Sequence, residues 1–318
     1  MKKKIALTLA AVMLMTAGVA MAADIETSGD LKLHYRWETK DGVANTEGGK
    51  VWFRLNAKTA LSDNVDAYAR LAIQKLNGDL IGADFDNTYD QYSRTGATSL
   101  DRFGVIVKNN GWNYTVGRQD LFLGGGMLAD NTGYMGINLW AVDGITATGK
   151  AGVTDLKVVA AQEWKSGSDD SKIYAIQGSY SPAKDWTLGA VYAKTDKETE
   201  KDLNHYAVNA SYALGKAGLF AEYGKSSADT NDKGYAFGTS YKFDSKISGY
   251  AIYSNVESNV PVIAGDITTF DAGGKGMYYG VDYKLDANKT FSVFYKDMTK
   301  IGSTTDYSSL RTTLTFAF

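Results

Sequence analysis

The sequence contains no cysteine, two prolines (Pro182 and Pro261) and two histidines (His34 and His205) among 318 residues. Without cysteine there is no disulfide framework, thiol chemistry or cysteine-bound metal, which suits passage through an oxidising compartment. Scarce proline suits a chain that is almost all sheet, because proline cannot donate to a strand ladder. The two histidines lie far apart in sequence, with no nucleophile motif around either, so neither a hydrolytic triad nor a metal centre is indicated and no cofactor is implied. After residue 22 no run is apolar and long enough to span a bilayer as a helix. The mean hydropathy of −0.26 would pass for that of a soluble protein. A membrane β-barrel gives the same average, since only alternate residues face lipid.

The first 22 residues read as a processing signal. Lys2, Lys3 and Lys4 form a basic start, Ile5 to Val19 an apolar stretch, and Ala20-Met21-Ala22 a small-residue cleavage site. The predicted organisation is a signal peptide over 1–22 and one transmembrane barrel over 23–318. Removing the three lysines leaves 31 basic and 36 acidic residues, a net charge of −5. This balance offers no basic surface for nucleic acid. The acid-rich stretches 84–90 and 168–171 lack an EF-hand pattern, and there is no phosphate-binding glycine loop.

What the chain has in quantity is glycine (34), tyrosine (21) and a period of two. From Ile25 to Glu38 the odd positions run Ile, Thr, Gly, Leu, Leu, Tyr, Trp and the even ones Glu, Ser, Asp, Lys, His, Arg, Glu. Alternate residues of a strand project to opposite faces, so this strand has one polar and one largely apolar face. The pattern recurs in Val51–Leu61, Val65–Gln74, His205–Leu214 and Met277–Leu285. Short turns rich in Asn, Asp, Gly and Lys join one end of the strands, at 62–64, 109–111, 183–185, 215–217, 244–246 and 286–288. Longer polar loops join the other end, at 39–49, 76–98, 165–171, 195–202, 226–233, 257–274 and 300–306. The fold class is therefore all-β, a transmembrane antiparallel β-barrel with short periplasmic turns and long extracellular loops. About sixteen strands are predicted, with weak alternation in 139–149 and 247–256 leaving fourteen possible. Tyr180, Tyr212, Tyr241 and Tyr283 precede short turns, and Trp37, Trp112, Trp164 and Trp186 fall near strand ends, as an interfacial aromatic belt requires.

The last strand places Leu310, Thr312, Leu314, Phe316 and Phe318 on one face and stops on Phe318. This resembles the terminal signature of outer-membrane barrels, which implies recognition by the barrel-insertion machinery. The whole mature chain resembles the general bacterial porins. Val116-Gly117-Arg118-Gln119-Asp120 ends the fifth strand, where that family carries Gly-Arg-Gln or Gly-Arg-Asn before an inward-folding loop. The resemblance implies that 120–138 narrows the channel, that the protein is a homotrimer in outer-membrane lipid, that the loop at 76–98 reaches a neighbour, and that small hydrophilic solutes and ions pass. Leu123-Gly124-Gly125-Gly126-Met127 is more apolar than many such loops.

All seven arginines lie at or before 118 or at 311. In a closed barrel the last strand pairs with the first, so Arg311 lies beside Arg36 and the set continues along strands two to five. By register Arg36, Arg54, Arg70, Arg102 and Arg311 face the lumen. Arg118 needs a bulge to do so, and Arg94 is in a loop. With Lys32 and Lys58 they form an expected basic wall, opposed by Asp120 and Asp130 of the inward loop; the competing expectation is local pairing with Asp30, Asp66 and Asp101. The rival functions are a substrate-selective channel, a receptor and a barrel hydrolase. The first strand begins at once in the mature chain, leaving no room for a plug domain.

Overall fold

The computed structural model describes residues 25–77, 96–132, 141–163, 171–197, 201–263 and 268–318. In chain order the strands are β1 (Ile25–Lys40), β2 (Val43–Ser62), β3 (Val65–Leu76), β4 (Gly96–Asn109), β5 (Trp112–Gln119), β6 (Phe122–Leu123), β7 (Ala129–Asp130), β8 (Val142–Ala151), β9 (Thr154–Glu163), β10 (Ser171–Tyr180), β11 (Trp186–Lys197), β12 (Leu203–Leu214), β13 (Ala217–Ser226), β14 (Lys233–Lys242), β15 (Ile247–Val256), β16 (Gly274–Asp286), β17 (Lys289–Lys300) and β18 (Asp306–Ala317). All except β6 and β7 form one closed barrel, sixteen strands in sequence order, in which β18 returns to β1.

The period of two dictates this closure. On β1 Leu33 and Tyr35 are exposed to the outside, while Lys32, His34 and Arg36 point inward. The same holds for Tyr206 and Val208 on β12 and for Tyr279 and Val281 on β16. An open sheet with one hydrocarbon-facing side would still expose unpaired N–H and C=O groups at two edges; closure removes both. At the seam Leu33 pairs with Leu314 and Arg36 with Arg311. Gly29 and Phe318 exchange both backbone hydrogen bonds, at 2.8 and 3.1 Å. The Phe318 ring covers the place a Cβ at Gly29 would occupy and stacks on Phe53 at 5.9 Å. Glycine at 29 is thus needed for the terminal aromatic to seat.

Asn110-Gly111 turns the β4–β5 hairpin with both residues at positive φ (48° and 78°), as a tight primed turn requires. Asp244 caps the β14–β15 turn by accepting from the N–H groups of Lys246 and Ile247, which holds its carboxyl below the usual range. Near the same rim Trp186 stacks on Tyr212 at 4.6 Å, and Tyr180, Tyr241 and Tyr283 face outward. Trp164 lies outside the described residues, as do 1–24, most of the 76–98 loop and 133–140.

One sequence expectation fails at the other rim. Residues 39–49 are not a loop: β1 runs to Lys40, β2 starts at Val43, and Asp41-Gly42 alone makes the turn, with Gly42 at φ 73°. The polar residues 44–50 extend a hairpin beyond the apolar band, where both faces meet water, so alternation is lost while pairing continues.

Candidate functional site

The lumen is not evenly filled. On β1–β4 and β17–β18 its inward residues are mostly charged or hydroxylic. On β9–β14 they include Val159, Ala161, Ile173, Ala175, Val191, Ala193, Ala207 and Ala236, all buried. That apolar half of the wall receives the inward loop.

The loop leaves β5 at Gln119, whose side-chain amide donates toward the carbonyls of Thr115, Gly117 and Gly144 and so fixes the exit direction. The Leu121 N–H donates to Asn131 Oδ1 at 2.6 Å, closing the neck. Between them β6 and β7 form a small hairpin, with Gly124 and Gly126 at φ 70° and 101°. Its tip crosses to the far wall. There Lys157 Nζ donates to the Phe122 carbonyl (3.0 Å), and the N–H groups of Gly124 and Gly125 donate to Gln177 Oε1 (3.1 Å) and Glu222 Oε1 (2.8 Å). Leu121, Leu123, Met127, Leu128 and Ala129 bury completely or nearly so against the wall. Burying such side chains stabilises by about 1.5–3 kcal/mol for each large one. The apolar loop sequence thus has a partner surface.

The arginines gather on the opposite side. Arg70 and Arg102 are direct cross-strand partners, and the register slips by one residue beside them, leaving Asp101 as the bulged extra residue. The bulge turns the Asp101 carboxylate inward, where it is fully buried and accepts a two-pronged bond from Arg70 at 2.8 and 2.8 Å. Arg102 donates to the Asp101 carbonyl (2.7 Å) and to Asp120 (2.6 Å), and Arg70 lies 3.5 Å from Asp120. Arg54 forks onto Asp30 and reaches the Thr132 carbonyl of the loop at 3.4 Å. Arg36 lies 3.4 Å from Glu38, and Arg311 donates to Ser309 (3.0 Å) and Glu38 (3.4 Å).

Arg36, Arg54, Arg70, Arg102, Arg311, Lys32 and Lys58 lie on the inward-facing alternation of their strands. Lys58 sits lower, bound with Lys108 to Asp66 at 2.9 and 2.8 Å. The acids differ from expectation. Asp120 is not across a gap but on the arginine side, in contact with Arg70 and Arg102. Asp130 is turned toward Thr132 (2.7 Å) and Thr269 (2.8 Å). The local pairing of arginines with Asp30 and Asp101 is present too. Arg118 is corrected outright: β5 carries no bulge, so Arg118 stays on the outer face with Val116. There it lies over the Phe103 ring at 5.6 Å and pairs with Asp143 at 2.7 Å.

Sequence reasoning missed three features: the bulge that makes Asp101 the centre of the cluster, a platform in which Trp52 stacks on His34 (5.3 Å) beneath Lys50 (4.8 Å), and the inward course of residues 257–263 and 268–273. Trp52 and Lys50 are readable from the inward register of β2; the bulge at Asp101 is not, and the inward stretch carries only the faint apolar signal of Val260, Val262 and Ile263.

The model of the Gram-negative porin family matches residues 6–300. No sequence among curated proteins matches. Solved structures share the fold at low identity. A loop L8 deletion mutant of OmpT, an outer membrane protein of Vibrio cholerae, is 14% identical with a TM-score of 0.61. A multiple mutant of the porin of Rhodopseudomonas blastica is 15% identical with a TM-score of 0.62. A chain described under asymmetric conductivity of engineered proteins is 14% identical with a TM-score of 0.61. In each case the match covers 93% of this chain and 100% of the other.

Proposed function

Given that the chain belongs to the Gram-negative porin family, and so is an outer-membrane channel for passive diffusion, we propose that its water path runs along the arginine side and favours small anions. The observation that carries this is the asymmetry of the wall. Among the described residues of one side, Lys32, Arg36, Lys50, Arg54, Arg70, Arg102 and Arg311 stand with Asp30, Glu38, Asp101 and Asp120, and lower down Lys58 and Lys108 share Asp66, so cations outnumber carboxylates. On the other side the loop fills the space against alanine and valine. Arginine keeps its charge at every relevant pH, so the field is fixed. A planar bilayer under a KCl gradient tests it: the zero-current potential lies on the chloride side. A potential at or beyond zero on the potassium side sinks the anion assignment.

The protein has no catalytic role in this reading. His34 hydrogen-bonds Thr313 at 2.8 Å and His205 is tied to Val260, so each serves the wall. Residues 1–22 direct export, and Phe318 addresses the chain to the barrel-insertion machinery.

The partner of the outer face is a second copy of the chain. A charge pair toward lipid is costly, yet Arg118 and Asp143 hold such a pair on the outside of β5 and β8, beside Phe103. Burial between subunits removes that penalty, and a homotrimer covers the face symmetrically. Arg118→Leu with Asp143 left in place should convert the unheated trimer band on a gel to monomer, while the double variant Arg118→Leu/Asp143→Leu partly restores it. An unaltered trimer band in the single variant would place the interface elsewhere.

A further inference from the structure

The connection from β15 to β16 reads as a polar rim loop, yet of its described residues, 257–263 and 268–273, Val260, Val262, Ile263 and Phe270 are almost wholly buried inside the barrel. We propose that this segment is a second constriction element, a clamp that holds the inward loop against the far wall and sets the position of Asp130.

The clamp has its own anchors on the wall. His205 Nδ1 lies 2.9 Å from the Val260 carbonyl, an acceptor only, so Nδ1 carries the hydrogen and Nε2 accepts from Thr195 at 3.1 Å. The Asp271 carboxylate binds Lys296 at 2.5 Å, and its N–H donates to the Tyr278 hydroxyl at 2.7 Å. Phe270 packs between Phe220 and Tyr278, with ring centroids 6.1 Å away in each case. The segment therefore does not depend on the inward loop for its place.

It grips that loop through the backbone. The Val262 N–H donates to the Leu128 carbonyl at 2.8 Å, and the Thr269 N–H to the Gly126 carbonyl at 3.0 Å. The Thr269 hydroxyl donates to Asp130 Oδ2 at 2.8 Å. Beneath, Gly224 and Gly234 face each other across β13 and β14 and leave a socket. A Cβ at Gly224 would lie 2.8 Å from Met127 Sδ and 3.0 Å from Val260, so both loops plug the same hole. Two separately anchored loops sharing one socket make the tip position a joint property of both.

This inference rests on the channel reading, and the experiment separates the two. Single-channel conductance is recorded for the wild type and for Val262→Asp/Phe270→Ser, with folding checked by the mobility of unheated samples. The clamp predicts a conductance raised roughly twofold and passage of larger uncharged sugars, since the far half of the lumen empties. A folded variant with wild-type conductance and sugar cut-off overturns it. Because the chain has no cysteine, Leu128→Cys/Val262→Cys provides a second arm that needs no destabilised variant. Spontaneous cross-linking with retained wild-type conductance supports the clamp, and failure to cross-link under oxidant overturns it. A wild type that passes no current removes the channel reading itself.

Discussion

Arg70→Ala combined with Arg102→Ala moves the zero-current potential toward potassium and at least halves the chloride preference. The pair sits at the neck of the inward loop with Asp101 and Asp120 around it. Removing both guanidinium groups and leaving both carboxylates takes this four-group cluster from neutral to a net charge of −2. At about 5 Å in water a unit charge biases a passing ion by about 0.8 kcal/mol, roughly a factor of four in local concentration. Salt shortens that reach to about 10 Å at 0.1 M, so the shift is largest in dilute KCl. Arg70→Lys/Arg102→Lys keeps the charge and should keep most of the selectivity. A double alanine variant with an unchanged potential would mean that the path avoids this wall.

The largest expected loss of stability is at Asp101. Its carboxylate is fully buried, forked by Arg70 and 3.8 Å from Arg102. Asp101→Ala removes the buried carboxylate that forks Arg70, and breaking a buried pair in this way costs about 3–5 kcal/mol. The temperature at which the folded gel band gives way to the unfolded one should fall markedly, with Asp101→Asn between the two. Lys150→Ala, which opens a well-exposed pair with Asp155, should leave it unchanged. Equal melting of Asp101→Ala and Lys150→Ala would contradict the cluster described here.

Much of this arrangement is legible in the chain, and the reasons are local. A period of two needs no knowledge of partners, so the faces of β1, β3, β12 and β16 follow from spacing alone, and so do the inward places of Arg36, Arg54, Arg70 and Arg311. Register even outweighs motif at Arg118: the Gly-Arg-Gln resemblance suggests the lumen, but the alternation of Trp112, Tyr114 and Val116 points it outward, where the structure has it. Asp101 is legible as a partner of the arginines but not as the bulged residue between Arg70 and Arg102, because a bulge exists only relative to a neighbouring strand. The turn at Asp41-Gly42 carries its own signal, masked by the polar run after it. The clamp has a faint one in Val260-Pro261-Val262-Ile263, and its counterpart is the row of alanines where β11, β12 and β14 carry charge-free inward faces. A stretch of lumen wall rich in alanine signals that something other than water covers it, but spacing does not say what.

The division of the lumen into a wet arginine side and a sealed far side can be tested one residue at a time, because any introduced cysteine is the sole thiol. Thr313→Cys lies beside His34 on the wet side, and Ala193→Cys lies under the two loops. With a charged thiol reagent added to a conducting bilayer, current through Thr313→Cys channels should drop in steps while Ala193→Cys channels remain unaffected. Rapid block at Ala193, or none at Thr313, would contradict it.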